Sequence, residues 1–219
     1  MLINKSYKIM SDIQKSVAEG LLSIKAIKLQ PNNPFTWASG WKSPIYCDNR
    51  KTLSFPAIRT LVRDAFVKTI KEKYPDVEVI AGVATGAIAQ GALVADALGL
   101  PFVYVRSSAK DHGLGNLIEG DLKSNAKVVV IEDLISTGGS SLKAVEALRA
   151  AEAQVLGMVA IFTYGFATAE NAFTEKQVEL TTLSNYNAMI DVAVETKYVS
   201  ENDVETLKLW RQNPSEWGK

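Results

Sequence analysis

Val128-Val129-Val130-Ile131-Glu132-Asp133-Leu134-Ile135-Ser136-Thr137-Gly138-Gly139-Ser140-Ser141 runs from four apolar β-formers through two carboxylates into hydroxyls and glycines. The apolar block reads as a strand buried on both faces. The carboxylates fall where that strand is expected to end, and a helix is expected from Ser141 to Ala151. Glycines allow a tight turn and close approach of main-chain N–H groups to a ligand. The hydroxyls and the start of a helix favour an anion such as phosphate. Glu132 and Asp133 cannot bind that anion, since like charges repel, but they suit sugar hydroxyls or a metal ion beside it. A ribose phosphate satisfies both halves of the segment. The plainer alternative is a strand-to-helix turn whose carboxylates merely cap the helix.

Working outward, strands alternate with helices. Val77 to Val83, Phe102 to Arg106, Lys127 to Glu132, Val155 to Thr163 and Val178 to Leu183 read as strands. Gly86 to Leu98 and Ala167 to Phe173 read as intervening helices, and two more start at Asn185 and Ser200. This rhythm predicts an α/β fold, a mainly parallel twisted sheet flanked by helices. Ala84-Thr85-Gly86, Arg106 and Glu132-Asp133 then all sit at the carboxyl ends of strands, where such sheets gather ligands. Residues before Val77 break the rhythm. An amphipathic helix from Ser11 to Ala26, a turn at Pro31 to Pro34, a polar-aromatic stretch to Arg50 and a helix from Pro56 to Tyr74 predict a cap over the sheet. The chain is read as a single domain, a cap over about residues 1–75 and an α/β core over about 76–219.

The connection from Arg106 to Lys127 is a second feature. It holds Lys110, three glycines and the chain's one histidine, His112, with no sustained periodicity. A long unpatterned connection in such a domain is commonly a lid, the plainer alternative being a solvated loop with chance charges. Arg106, Lys110 and His112 suit a polyanion such as pyrophosphate.

Composition narrows the classes. In 219 residues, Lys+Arg 24 balance Asp+Glu 24, which gives no reason to expect nucleic acid or a membrane surface as partner. One cysteine, Cys47, excludes an internal disulfide and fits a reducing compartment; with one histidine far from it, a protein-held metal site is not expected. No apolar run reaches membrane-spanning length, and Met1 to Ser11 lacks a signal-peptide core, so a cytoplasmic location is expected. Neither G-x-G-x-x-G after a strand nor G-x-x-x-x-G-K-[ST] occurs.

The acidic, hydroxyl-rich segment resembles the ribose-phosphate signature of the type I phosphoribosyltransferases, which use phosphoribosyl pyrophosphate (PRPP). Arg106-Ser107-Ser108-Ala109-Lys110-Asp111-His112-Gly113 resembles the catalytic loop of the orotate phosphoribosyltransferase family. Phe35-Thr36-Trp37-Ala38-Ser39-Gly40-Trp41-Lys42-Ser43-Pro44-Ile45-Tyr46-Cys47-Asp48-Asn49-Arg50 resembles its base-binding region. Lys28, Ile161 to Gly165 and Leu183 to Tyr186 extend the likeness over nearly the whole chain.

The resemblance implies transfer of ribose 5-phosphate from PRPP to orotate, giving orotidine 5'-monophosphate and pyrophosphate. It implies that Glu132 and Asp133 hold ribose hydroxyls and that Leu134, Ile135, Ser136, Thr137, Gly138, Gly139 and Ser140 line the PRPP site. Ser136, Lys28, Tyr46 and Cys47 would meet the orotate, and Arg106, Lys110 and His112 the pyrophosphate. It also implies Mg²⁺ carried mainly on PRPP, and a homodimer whose loop residues act across subunits. The chain departs from common family patterns at Ser107 and Thr85, positions often basic, and at Tyr164, near which some members carry an arginine. The rival readings are transfer to a purine or other base, and a non-catalytic PRPP-binding regulator. The C-terminal helix, with Leu207, Leu209, Trp210 and Trp217, is expected to pack on its own core.

Overall fold

A computed structural model describes residues 2–37, 39–108 and 117–218. In chain order the helices are α1 (Leu2–Ser23), α2 (Pro56–Lys73), α3 (Ile88–Leu98), α4 (Gly139–Ala150), α5 (Ala167–Glu175), α6 (Tyr186–Glu195) and α7 (Glu201–Gln212). The strands are β1 (Ile27–Leu29), β2 (Phe35–Thr36), β3 (Lys42–Ser43), β4 (Ile45–Cys47), β5 (Val79–Val83), β6 (Phe102–Val105), β7 (Ile118–Glu119), β8 (Lys127–Ile135), β9 (Gln154–Thr163) and β10 (Leu180–Asn185).

The main sheet has six strands in the order β10-β9-β8-β5-β6-β7. All neighbours pair parallel except β7, which lies antiparallel on the β6 edge. Every residue of β5 is buried, as an inner parallel strand requires. The sheet divides two apolar cores. Val129 and Ile131 of β8 join α1, α2, α3, α6 and α7 on one face, while Val128 and Val130 join α4 and α5 on the other. This is the period-two alternation of a strand covered on both sides.

The expected alternation of strands and helices is present, with instructive shifts. β8 does not stop at Glu132 but continues to Ile135, because β9 accompanies it through Ile135↔Thr163. The acid pair therefore lies inside the strand, and α4 opens two residues early, at Gly139. β10 runs from Leu180 to Asn185 rather than from Val178 to Leu183, because its ladder to β9 extends from Leu180↔Met158 to Asn185↔Thr163. α1 begins at Leu2 instead of Ser11, in a stretch without proline or glycine before Gly20, and ends at Ser23. Ser23 Oγ donates there to the Gly20 carbonyl at 2.8 Å.

The stretch before α2 forms two small antiparallel pairs, β1 with β4 and β2 with β3, followed by a 3-10 turn at Asn49–Ser54. α7 does pack on its own core: Leu207 and Trp210 are fully buried and Trp217 packs against that core. Leu209 differs, 52% exposed, because it falls on the opposite side of the helix. Among the described residues, no helix is long and apolar enough to cross a membrane.

Candidate active site

The carboxyl end of β8 positions the first half of the site. Neighbouring strand residues point to opposite faces, so Glu132 and Asp133 diverge. Glu132 turns toward α4 and is buried; Ser141 Oγ donates to its Oε2 at 2.7 Å, and the Asp133 N–H donates to its Oε1 at 2.9 Å. Burial pushes the Glu132 carboxyl up to about 8, against the bond from Ser141 and helped by the neighbouring Asp133 charge. Asp133 faces the turn after β5, where Gly86 leaves room for it. A Cβ on Gly86 would collide with the Asp133 carboxylate. Burial raises the Asp133 carboxyl too, with Arg50 opposing the shift.

Beyond the acid pair the chain turns into α4. Leu134 and Ile135 send their side chains into the two cores, and the Ile135 carbonyl accepts from the Tyr164 N–H at 3.2 Å, so their side chains are spent on packing. Ser136 is half-buried, while Thr137, Gly139 and Ser140 are exposed. Gly138, at φ +83°, is the N-cap of α4, and no side chain caps that helix. The first-turn N–H groups thus remain free to meet an anion.

The second half is the small pairing of β1 with β4. It sets Lys28 opposite Tyr46 and Ile27 opposite Cys47, so three of the four residues expected at the base come together, the fourth being Ser136 beyond β8. Tyr46 is 42% exposed and packs against Phe35 at 5.7 Å between ring centroids. Burial pushes the Cys47 thiol well above its ordinary range, with Asp133 and Asp48 adding to the shift. A side chain not singled out in the sequence joins the halves. Asn49 Nδ2 donates to the Asp133 main-chain carbonyl at 2.6 Å, and the Cys47 thiol donates to Asn49 Oδ1 at 3.3 Å. Asn49 stands 84 residues from Asp133 in sequence, and no spacing signal could have linked them.

Arg106 sits at the end of β6. Its N–H donates to the Leu117 carbonyl at 2.8 Å, and its Nη1 lies 3.5 Å from Glu119 Oε1 on β7. With Ala84, Ser107, Gly139, Ser140 and Lys143 it lines a cavity of about 680 Å³ that extends along α4. Ser107 and Thr85 are both exposed at this end of the sheet. Lys110 and His112 lie outside the described residues.

Tyr164 belongs to an aromatic cluster. Its ring lies 5.3 Å from Trp37, 5.4 Å from Phe166 and 5.7 Å from Trp210. Burial pushes its hydroxyl well above the ordinary tyrosine range, so it is a neutral phenol. The indole N–H of Trp37 donates to the Ile45 carbonyl at 3.1 Å and that of Trp210 to the Lys42 carbonyl at 3.2 Å. α7 thereby grips the segment that carries Tyr46.

Comparison with known proteins bears on this arrangement. Residues 51–197 match the phosphoribosyl transferase domain. The chain is 64% identical over 209 residues to an orotate phosphoribosyltransferase of Porphyromonas gingivalis, covering 95% of this chain and 100% of the relative. It is 57% identical over 207 residues to one of Listeria monocytogenes, covering 94% and 99%. A crystal structure of orotate phosphoribosyltransferase from Aeropyrum pernix superposes with a TM-score of 0.71 at 25% identity, over 84% of this chain and 99% of that one. Sequence identity over nearly the whole length and a common fold agree, and the chain belongs to the phosphoribosyl transferase domain family, among its orotate phosphoribosyltransferases.

Proposed function

We propose that this chain transfers the ribose 5-phosphate of PRPP to a ring nitrogen of orotate, giving orotidine 5'-monophosphate and pyrophosphate in the making of pyrimidine nucleotides. The observation that carries the reading is the bond from Asn49 to the Asp133 carbonyl, which ties the base-binding segment to the acid pair.

The bond from the ribose anomeric carbon to pyrophosphate breaks as the bond to the base nitrogen forms, through a cation-like ribose. Glu132 and Asp133 hold the ribose hydroxyls. The main chain from Leu134 to Ser140, with the hydroxyls of Ser136, Thr137 and Ser140, cradles the 5'-phosphate. Lys28 and the main chain at Tyr46 and Cys47 take the base, and Ser136 reaches it from the other side. Arg106, Lys110 and His112 stabilise the charge that develops on pyrophosphate. The ring nitrogen of orotate loses its proton readily, so no strong base is required.

The donor chemistry near the acid pair fits Mg²⁺. Asp133 faces the turn at Gly86, Glu132 stands behind it toward α4, and Arg50, itself paired with Asp48, is a cation whose field reaches Asp133. Bound on PRPP oxygens, Mg²⁺ would neutralise the leaving pyrophosphate. We further propose a homodimer in which the loop of one subunit reaches its partner's site, closing it against water, and a cytoplasmic enzyme.

The test follows the ultraviolet absorbance of orotate with PRPP and Mg²⁺ present and each omitted in turn. Loss of absorbance in the complete mixture alone is the expected result. No turnover while PRPP still binds would move the assignment to another base.

A further inference from the structure

Asn49 opens the 3-10 turn that follows β4 and is 2% exposed. Both ends of its amide are engaged, the donor with the Asp133 carbonyl and the acceptor with the Cys47 thiol. Its own carbonyl accepts from Thr52 Oγ1 at 2.7 Å, and that buried hydroxyl accepts from Gln90 Nε2 at 3.3 Å. Three parts of the molecule meet here: β4 with the base segment, β8 with the acid pair, and α3 beneath the Ala84-Thr85-Gly86 turn. Pairing of β8 with β5 ends at Gly82↔Ile131. Farther along, the Asp133 main chain is met by side chains, its N–H by Glu132 and its carbonyl by Asn49. Donor and acceptor on one short rigid plane is what an amide provides. A carboxylate in its place would aim an oxygen at a carbonyl oxygen.

We infer that Asn49 is a positioning residue for the transfer reaction, its amide holding strand β4 and the acid pair of β8 in the mutual register that aligns base and ribose. The inference rests on the function proposed above. Each half of the site has its own support, β4 through its pairing with β1 and Glu132 through Ser141. Loss of the amide therefore leaves both substrates able to bind and degrades their alignment. A misplacement of about 1 Å costs about 100-fold in rate.

The test compares Asn49→Ala and Asn49→Asp with the unaltered chain. Steady-state kinetics with orotate and PRPP give kcat and both KM values, and calorimetry with PRPP gives its Kd and the fraction of competent sites. The expected result is a kcat per competent site lowered about 10- to 100-fold, with KM and Kd held within about threefold. Asn49→Asp, of equal size, shares the fall although it keeps the acceptor for Cys47. Wild-type kcat per competent site in either variant overturns the inference, as does a loss accounted for wholly by KM. Failure of both variants to fold makes Asn49 structural and overturns it as well. An unaltered chain that consumes no orotate removes the functional reading together with this inference. An active unaltered chain matched by its variants removes this inference alone.

Discussion

Glu132 holds its proton to higher pH than a carboxyl in water does. Burial raises its pKa from 4.5 to about 8, against the hydrogen bonds that its two oxygens accept from Ser141 and the Asp133 N–H. Above 4.5 the unfolded chain has released the proton that the folded chain still holds. The contribution of Glu132 to stability is therefore fully present below 4.5 and is lost as pH rises through about 8. Glu132→Gln is neutral throughout and escapes this loss. Its thermal midpoint should gain on that of the unaltered chain between about pH 5 and about pH 8.5, read by thermal unfolding across that range. A constant difference would show that Glu132 is ionised in the folded protein. The acid pair can be picked out in the sequence, where two carboxylates stand beside hydroxyls and glycines. Its proton cannot, because the burial comes from α4 and from strands distant in sequence. Asn49 is hidden for the same reason: its partner belongs to another strand.

At the scale of elements, the turn from β8 into α4 decides whether phosphate can be held. Gly138 adopts φ +83°, and a Cβ there would come 2.8 Å from Phe173 Cε2. Left-handed backbone costs an L side chain about 1–2 kcal/mol, and the contact with Phe173 adds to it. Gly138→Ala should lose at least that much stability in denaturant unfolding and bind PRPP more weakly in calorimetry. Wild-type values in both would show that the turn relaxes freely. Long elements are legible in the sequence because they repeat a pattern: the Val128–Ile131 block names its strand, and Pro56 marks the start of α2. The two-residue strands β2, β3 and β7 are too short to carry a period, so the paired cap and the antiparallel sheet edge are invisible there. The end of β8 is misjudged for a different reason. Carboxylates usually leave a sheet, yet here β9 continues alongside and Ser141 satisfies Glu132.

Across the whole molecule, Trp210 is the joint between α7 and the cap. It is fully buried, lies within 5.7 Å of the rings of Trp37, Tyr164, Phe166 and Tyr186, and donates to the Lys42 carbonyl. Trp210→Ala should cost about 3–5 kcal/mol in unfolding free energy. Because the lost contacts hold the cap and not the phosphate turn, KM for orotate should rise more than KM for PRPP. Equal increases in the two would place the damage in the sheet instead. Trp210 follows Lys42 by 168 residues. On a ribosome every residue of the sheet and its phosphate turn has therefore been joined to the chain before the tryptophan that fastens the cap. The side chain that anchors the cap is thus among the last the chain receives, long after the residues of the phosphate turn.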